Sequence, residues 1–433
     1  MADQAPGVAS RRAAIALLEA VLDRRRTLDD ALAGLPPGMA ARDRGFAHMI
    51  AATVLRRLGT LDAVLEPYLR RAPPPAVRHA LRAGAAQLLF FGTPRHAAVG
   101  ETVTAVRALP KGDSFAGLAN AILRRVAEAG AGALEGLDGP RLDTPDWLWR
   151  SWHACYGPEE ARAIAAAHQG EPPLDLTLKP GQDAQDWAAR LGGEVLPTGS
   201  LRLAARHGPV RDLPGFAEGA WWVQDAAAAL PALLLAARPG ETVADLCAAP
   251  GGKTAQLAAT GARVTAVERS GERAGRIGEN LARLGLPGAV VVDDAATWAP
   301  PAPLDAVLLD APCTATGTIR RHPDIPHLKR AQDVASLAPA QDRLLAAAAR
   351  MLRPGGRLIY AVCSLEREEG EGAVARALAA GHGLAHAPFT AGELAALPEA
   401  LTKDGFLRTT PALWADRGGM DGFFAARLIR TSG

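Results

Sequence analysis

Between residues 242 and 364 five short, apolar, β-rich stretches (TVADLCA, RVTAVE, AVVVD, AVLLDAP and GRLIYAVCS) alternate with helical ones such as TAQLAAT, ERAGRIGENLARLG and PAQDRLLAAAARML. Alternation of this kind makes a doubly wound parallel sheet, an α/β architecture whose ligands sit outside the carboxyl ends of the strands. A last apolar run, DGFFAARLIR, has no helix after it and is expected to add an antiparallel strand.

The rest of the 433 residues divides differently. Up to about residue 130 the periodicity is helical: Phe46, Ile50, Val54, Leu58, Leu61 and Leu65 recur every three or four positions. The breaks at Pro73 to Pro75, at Gly92 with Pro94, and in the Gly/Ala-rich stretch 129 to 140 carry turn chemistry. Residues 141 to 220 mix two helices with short strand-like pieces, LDLTL and LRLAA. The expected domains are therefore an all-α unit over 1–140, a small α+β insert over 141–220, and the α/β unit over 221–433.

No apolar run reaches the roughly 20 residues that a bilayer helix needs, and the Arg-rich start lacks the apolar block of a secretory signal. Cys155, Cys247, Cys313 and Cys363 are too few and too scattered for a disulfide framework, and no CxxC pair points to zinc. A cytoplasmic protein with free thiols, without membrane or metal, and acting as a monomer is the expectation. The net charge of +2 is unevenly spread: residues 1–140 carry 18 Lys and Arg against 13 Asp and Glu, the remainder 30 against 33. The basic excess is what a polyanionic partner would need, although solvated arginine faces produce it too.

The unusual residues of the α/β unit fall where ligands bind. The first strand runs into DLCAAPGGKT, where Gly251 and Gly252 let the backbone approach a ligand and open a helix. The loop has neither the GxGxxG spacing of a dinucleotide site nor the spacing of a P-loop. Glu268 ends the second strand, where an acid accepts hydrogen bonds from a ribose diol; Asp293 and Asp294 end the third, within reach of an adenine amino group. Helix capping explains any one of these acids but not the ordered set, which describes an adenosine-bearing ligand. Asp310 and Cys313 end the fourth strand and Cys363 the fifth, so neighbouring strands bring both thiols to one cleft. They are either nucleophiles or inert buried side chains.

DLCAAPGGKT, LLDAPCTATGTIRRHPDI and AVCSLEREEGE, in that order, resemble the Sun (Fmu) family of RNA cytosine-5 methyltransferases. WVQDAAAA, NLARLG and DGFFAARLIR extend the resemblance, and FAGLANAILRR is similar to the NusB-like domain of the branch that modifies small-subunit ribosomal RNA. The resemblance implies a NusB-like helical domain, an insert like an RNA-recognition fold, and a Rossmann-like domain that uses S-adenosylmethionine. It makes Cys247, Ala248, Ala249, Pro250, Gly251, Gly252 and Lys253 the cradle of the cofactor's methionine part, with Glu268 at its ribose, Asp294 at its adenine and Asp310 beside it. It makes Cys363 the nucleophile and Cys313 the thiol that assists release; addition at carbon 6 then calls for Asp310 to bond or protonate nitrogen 3 of the base. Arg320, Arg321 and His322 follow the fourth strand's loop and are expected at the phosphates of ribosomal RNA.

Three departures stand out: Val362 where the family has Thr, Gly370 where it has Asn, and Lys179-Pro180-Gly181 where Arg, an aliphatic residue and Asn are expected. A non-catalytic RNA-binding assembly factor is one alternative, and a cytosine-5 methyltransferase acting on transfer RNA or DNA is another. In the DNA type the Cys313 position alone supplies the nucleophile.

Overall fold

The computed structural model describes residues 6–204 and 208–431. They form two compact units, one of residues up to 170 with 319–330, the other of 171–318 with 331–433. Among the described residues no helix is long and apolar enough to cross a membrane.

The first unit is all helical. Helices Pro6–Leu18, Ala41–Arg56, Leu58–Leu65, Pro75–Phe90, Arg95–Arg107 and Asp113–Ala129 enclose a core that includes Leu18, Ile50, Val54, Leu61, Leu81 and Leu123. The periodic stretch from Phe46 to Leu65 is two helices, because the chain breaks at Arg57. The helices Asp146–Tyr156 and Pro158–Ala167, expected in the insert, belong to this unit. Asp143 draws this part in: its carboxylate accepts from Thr60 N (2.7 Å), Thr60 Oγ1 (2.9 Å) and Gln169 Nε2 (2.7 Å). Residues 319–330 also pack here, held by Asp324, which accepts from Leu28 N (3.0 Å), and by His327 Nε2 against Leu55 O (2.9 Å). Burial first, then the charges of Arg320 and Arg56, push the His168 imidazole down to about 3, so that it is neutral at physiological pH.

The second unit opens with the strands β1 (Leu174–Leu178), β2 (Glu194–Val195), β3 (Leu201–Leu203) and β4 (Trp221–Val223), an antiparallel sheet in the order β2-β3-β1-β4. Helix Ala184–Leu191 packs on it through Trp187 and Ala188. The insert is therefore α+β as expected, though it starts at 171 rather than 141.

The main sheet contains β5 (Thr242–Leu246), β6 (Arg263–Glu268), β7 (Ala289–Val292), β8 (Leu304–Asp310), β9 (Leu352–Val362), β10 (Leu384–His386), β11 (Leu407–Arg408) and β12 (Phe424–Arg430). Its order is β10-β12-β9-β8-β5-β6-β7, with β11 beside β12. Strands β5 to β9 are parallel and β12 joins β9 antiparallel, as the sequence pattern predicts. Alternate residues feed two cores. Val243, Ala306, Leu308 and Ile359 pack with Leu257 and Ile277 on one face; Ala244, Val307, Leu309 and Leu358 pack with Leu345 and Val374 on the other. From β5 the chain winds to β6 and β7 on one side and returns through β8 and β9 on the other, so the switch point lies between β5 and β8. A crevice opens at such a point, beyond the strand ends.

Candidate active site

Each strand end contributes one group to this crevice. After β5 the backbone turns sharply: Cys247 has φ +60°, Gly251 φ +99°, and the Ala249–Pro250 peptide is cis. At Gly251 the φ of +99° favours glycine, and a Cβ there would also stand 3.1 Å from Ile277 Cγ2, a tight contact. Helix Gly252–Ala259 starts directly behind, aiming its first amides outward. The Cys247 thiol is pushed up to about 12, by burial first and then by the Asp310 and Glu268 charges, which keeps it protonated and unreactive.

Glu268 ends β6 almost fully buried, its carboxylate accepting from Ser270 N (3.0 Å) and Ala249 N (3.4 Å). It is thus fixed against the Gly-rich loop through Ala249 N. Asp293 and Asp294 follow β7 and are exposed. Asp294 Oδ1 accepts from Ala296 N (2.9 Å) within the turn at 295–297, and no helix follows for it to cap. These groups suit an adenosine-bearing cofactor: a backbone that approaches closely, a held ribose acid and an exposed acid beyond.

At the switch point Lys253 Nζ donates to Asp310 Oδ2 at 2.8 Å, and the ammonium also lies 5.0 Å from the Phe423 ring centre. Burial acts to lower the Lys253 pKa, but Asp310, Asp245 and Cys363 together raise it, so the side chain is a fixed positive charge next to the thiols. The sequence reading placed Lys253 at the cofactor and did not pair it with Asp310. Behind it, Asp245 is fully buried with Thr254 Oγ1 donating to Oδ2 (2.5 Å), while no hydrogen-bond partner meets Oδ1 among the described residues. Burial pushes this carboxyl up to about 7, with Asp310 adding to the rise.

The Cys313 and Cys363 sulfurs are 3.6 Å apart. Adjacency of β8 and β9, with Asp310 in register with Ala361, brings them together. The Cys313 thiol is raised well above its ordinary range, first by its hydrogen bond to Cys363 and then by burial.

Sequence reasoning missed Glu369. Fully buried, it accepts from Thr314 N (2.9 Å), Thr314 Oγ1 (2.5 Å), Ser364 Oγ (2.6 Å) and Gln341 Nε2 (3.3 Å). Desolvating a carboxylate costs several kcal/mol, and hydrogen bonds to a charged group return about 1.5–3 kcal/mol each, so four donors offset part of the burial. Burial, the larger influence, still raises its pKa while the donors act to lower it. The available signal was a hydroxyl residue directly after each thiol, followed by paired acids at 368 and 369.

The basic triplet is not all available. Arg320 is 1% exposed and its carbonyl accepts from Arg56 Nη2 (3.1 Å), so its expected phosphate contact is corrected: the side chain is packed inside the helical unit. Arg321 is exposed and His322 half-buried, with Nδ1 3.9 Å from Asp29. Two departures from the family pattern have physical reasons. A Cβ at Gly370 would stand 2.6 Å from Arg408 Nη2 and 2.8 Å from Phe424 Cγ, which excludes a larger residue as the neighbours stand. Lys179 Nζ donates to Leu284 O (2.7 Å) at the carbonyl end of helix Gly271–Leu284, where a cation is favoured. Val362 is fully buried in the core of the sheet.

With this geometry in view, two family models match the chain: 16S rRNA methyltransferase RsmB/F over residues 232–429, and the NusB family over 8–128. Ribosomal RNA small subunit methyltransferase B of Pseudomonas putida is 37% identical, over 97% of this chain and 98% of that protein. The chain belongs to this methyltransferase family. The protein of the same name from Pseudomonas syringae pv. tomato is 38% identical, over 97% of this chain and 96% of its own. The crystal structure of PH0851 shares the fold, with a TM-score of 0.72 and 23% identity over 96% of this chain and 98% of that one. As a family member the protein is an S-adenosylmethionine-dependent RNA methyltransferase, with a NusB-like helical unit and a Rossmann-like catalytic unit.

Proposed function

We propose that the protein methylates carbon 5 of a cytosine in 16S ribosomal RNA through a covalent adduct between Cys363 and carbon 6 of the base. The observation that carries the reading is the pair of sulfurs 3.6 Å apart, beside a Lys253–Asp310 ion pair, at the ends of adjacent strands. Carbon 5 of cytosine is a poor nucleophile, and addition of a thiolate at carbon 6 turns the ring into an enamine with electron density at carbon 5. Residues 247–253, Glu268 and Asp294 would hold S-adenosylmethionine, which would supply the methyl group as an electrophile on a sulfonium sulfur. Asp310 in its protonated form donates to nitrogen 3 and stabilises the negative charge that develops there during addition, while Lys253 Nζ holds the carboxyl through Oδ2 and leaves Oδ1 to carry the proton. Cys313 stands beside the adduct, where the carbon 5 proton must leave before Cys363 is expelled.

The cytosine must be unpaired or flipped for a thiol to reach carbon 6. The helical unit, with its basic excess, and the exposed Arg321 with His322 supply phosphate contacts. Transfer of tritiated methyl from S-adenosylmethionine to 16S ribosomal RNA tests the activity, and bisulfite sequencing of ribosomal RNA from a deletion strain tests the target. One protected cytosine lost in that strain is expected. Label that enters only transfer RNA or DNA, or no nucleic acid, overturns the proposal.

A further inference from the structure

We infer that Glu369 is a positioning residue for methyl transfer: one buried carboxylate, bonded to the residue that follows each thiol, sets the separation of Cys313 and Cys363. The inference rests on the reaction proposed above and extends it to what aligns the two sulfurs. Oε2 receives the hydroxyls of both Thr314 and Ser364 (2.5 and 2.6 Å). Oε1 receives Thr314 N and Gln341 Nε2 (2.9 and 3.3 Å), and the same Gln341 nitrogen donates to Pro312 O (3.1 Å), so Cys313 is held from both flanking residues. Cys363 is bracketed likewise: its carbonyl accepts from Gly317 N (3.0 Å), and Arg408 Nη1 donates to Ser364 O (2.7 Å). The acid itself is anchored, since Tyr360 Oη donates to Glu369 O (2.6 Å).

Glu369 sits fully buried behind the thiol loops, and its carboxylate bonds Thr314, Ser364 and Gln341 rather than either sulfur. Stability alone does not call for a buried acid, because an apolar side chain of similar volume fills such a place at lower cost. What the acid adds is an acceptor oxygen, Oε2, that the two thiol loops share, and thereby a fixed distance between their reactive atoms.

The test uses the full chain and two readouts. Diamide removes one hydrogen from each of two thiols and joins them, so the rate of Cys313–Cys363 disulfide formation, followed by mass spectrometry of alkylated peptides, reads their separation without RNA or cofactor. Single-turnover methyl transfer reads its consequence. Glu369→Ala is expected to slow both thiol pairing and methyl transfer by about 10²-fold, the loss a 1 Å misplacement produces, with the affinity for S-adenosylmethionine unchanged. In Glu369→Gln the amide oxygen accepts from Thr314 N and the amide nitrogen donates to the two hydroxyls, which rotate to accept, so most of both rates should return. Thr314→Val, which removes one hydroxyl at nearly constant shape, should slow pairing in the same direction and decides the matter if Glu369→Ala does not fold. Wild-type pairing rates in both Glu369→Ala and Thr314→Val, or a Gln variant no better than Ala, overturn the inference. A wild-type protein that methylates no RNA overturns the proposed reaction instead, and the pairing arm still decides the clamp.

Discussion

The carboxyl ends of β5 to β7 and those of β8 and β9 belong to one sheet, yet each half buries an acid in a different way. Asp245, on the first side, has one hydroxyl donor and one oxygen without a partner among the described residues, and its carboxyl is pushed up to about 7. Glu369, on the second, collects donors from three residues. The first side holds its functional groups by local backbone: positive φ at Cys247 and Gly251, and Ser270 N on Glu268 two residues away. The second holds them by side chains whose partners lie 55 positions apart in the case of Thr314 and Glu369. Local geometry tolerates the loss of a single side chain, whereas a shared acid makes two loops depend on one residue.

The largest effect is expected at the boundary between the halves. Asp310→Asn should lower single-turnover methyl transfer by about 10²- to 10⁴-fold, the range typical of general acid–base assistance. It should also leave Lys253 without its carboxylate. A rate within a few-fold of wild type would place the nitrogen 3 contact elsewhere and remove the switch point from the chemistry.

On the cofactor side, Glu268→Ala removes a charged acceptor worth about 1.5–3 kcal/mol, so the Kd for S-adenosylmethionine should rise about 10- to 100-fold by calorimetry. Turnover at saturating cofactor should stay near wild type, because the thiol side is held independently. A fall in saturated turnover as large as that of Asp310→Asn would break the separation drawn between the two halves.

How far the sequence carried depends on the same distinction. RVTAVE matches β6 residue for residue, and the antiparallel last strand and the neighbouring thiols follow from strand alternation alone. These are local patterns, or the direct consequence of winding order. Glu369 was illegible because its significance lies in Thr314 and Ser364, which no periodicity connects to it. Arg320 was misjudged because a basic residue in a loop reads as solvated, and only packing against Arg56 and the neighbouring helices shows that it is buried. The boundary expected at 140 lies at 170 for a related reason: Asp143 bonds back to Thr60, a contact across 83 residues.

The smallest effect concerns Asp245. Its folded pKa is raised above the ordinary carboxylate value, so its contribution to stability is full below about pH 4 and is lost as pH rises through about 7. Between pH 6 and 7 the wild type should lose about 1 kcal/mol relative to Asp245→Asn in denaturant melts. A constant difference between the two proteins over that interval would show that Asp245 is ionised throughout, and would make the two buried acids alike.

The most direct test of the central claim is covalent capture, by denaturing gel, of RNA on the two thiol variants in the presence of S-adenosylmethionine. Cys363→Ala should form no adduct and transfer no methyl group, because nothing adds to carbon 6. Cys313→Ala should still add and methylate but release slowly, leaving protein joined to methylated RNA as a slowly migrating band. Adduct that accumulates in Cys363→Ala and vanishes in Cys313→Ala would contradict the account and make Cys313 the nucleophile.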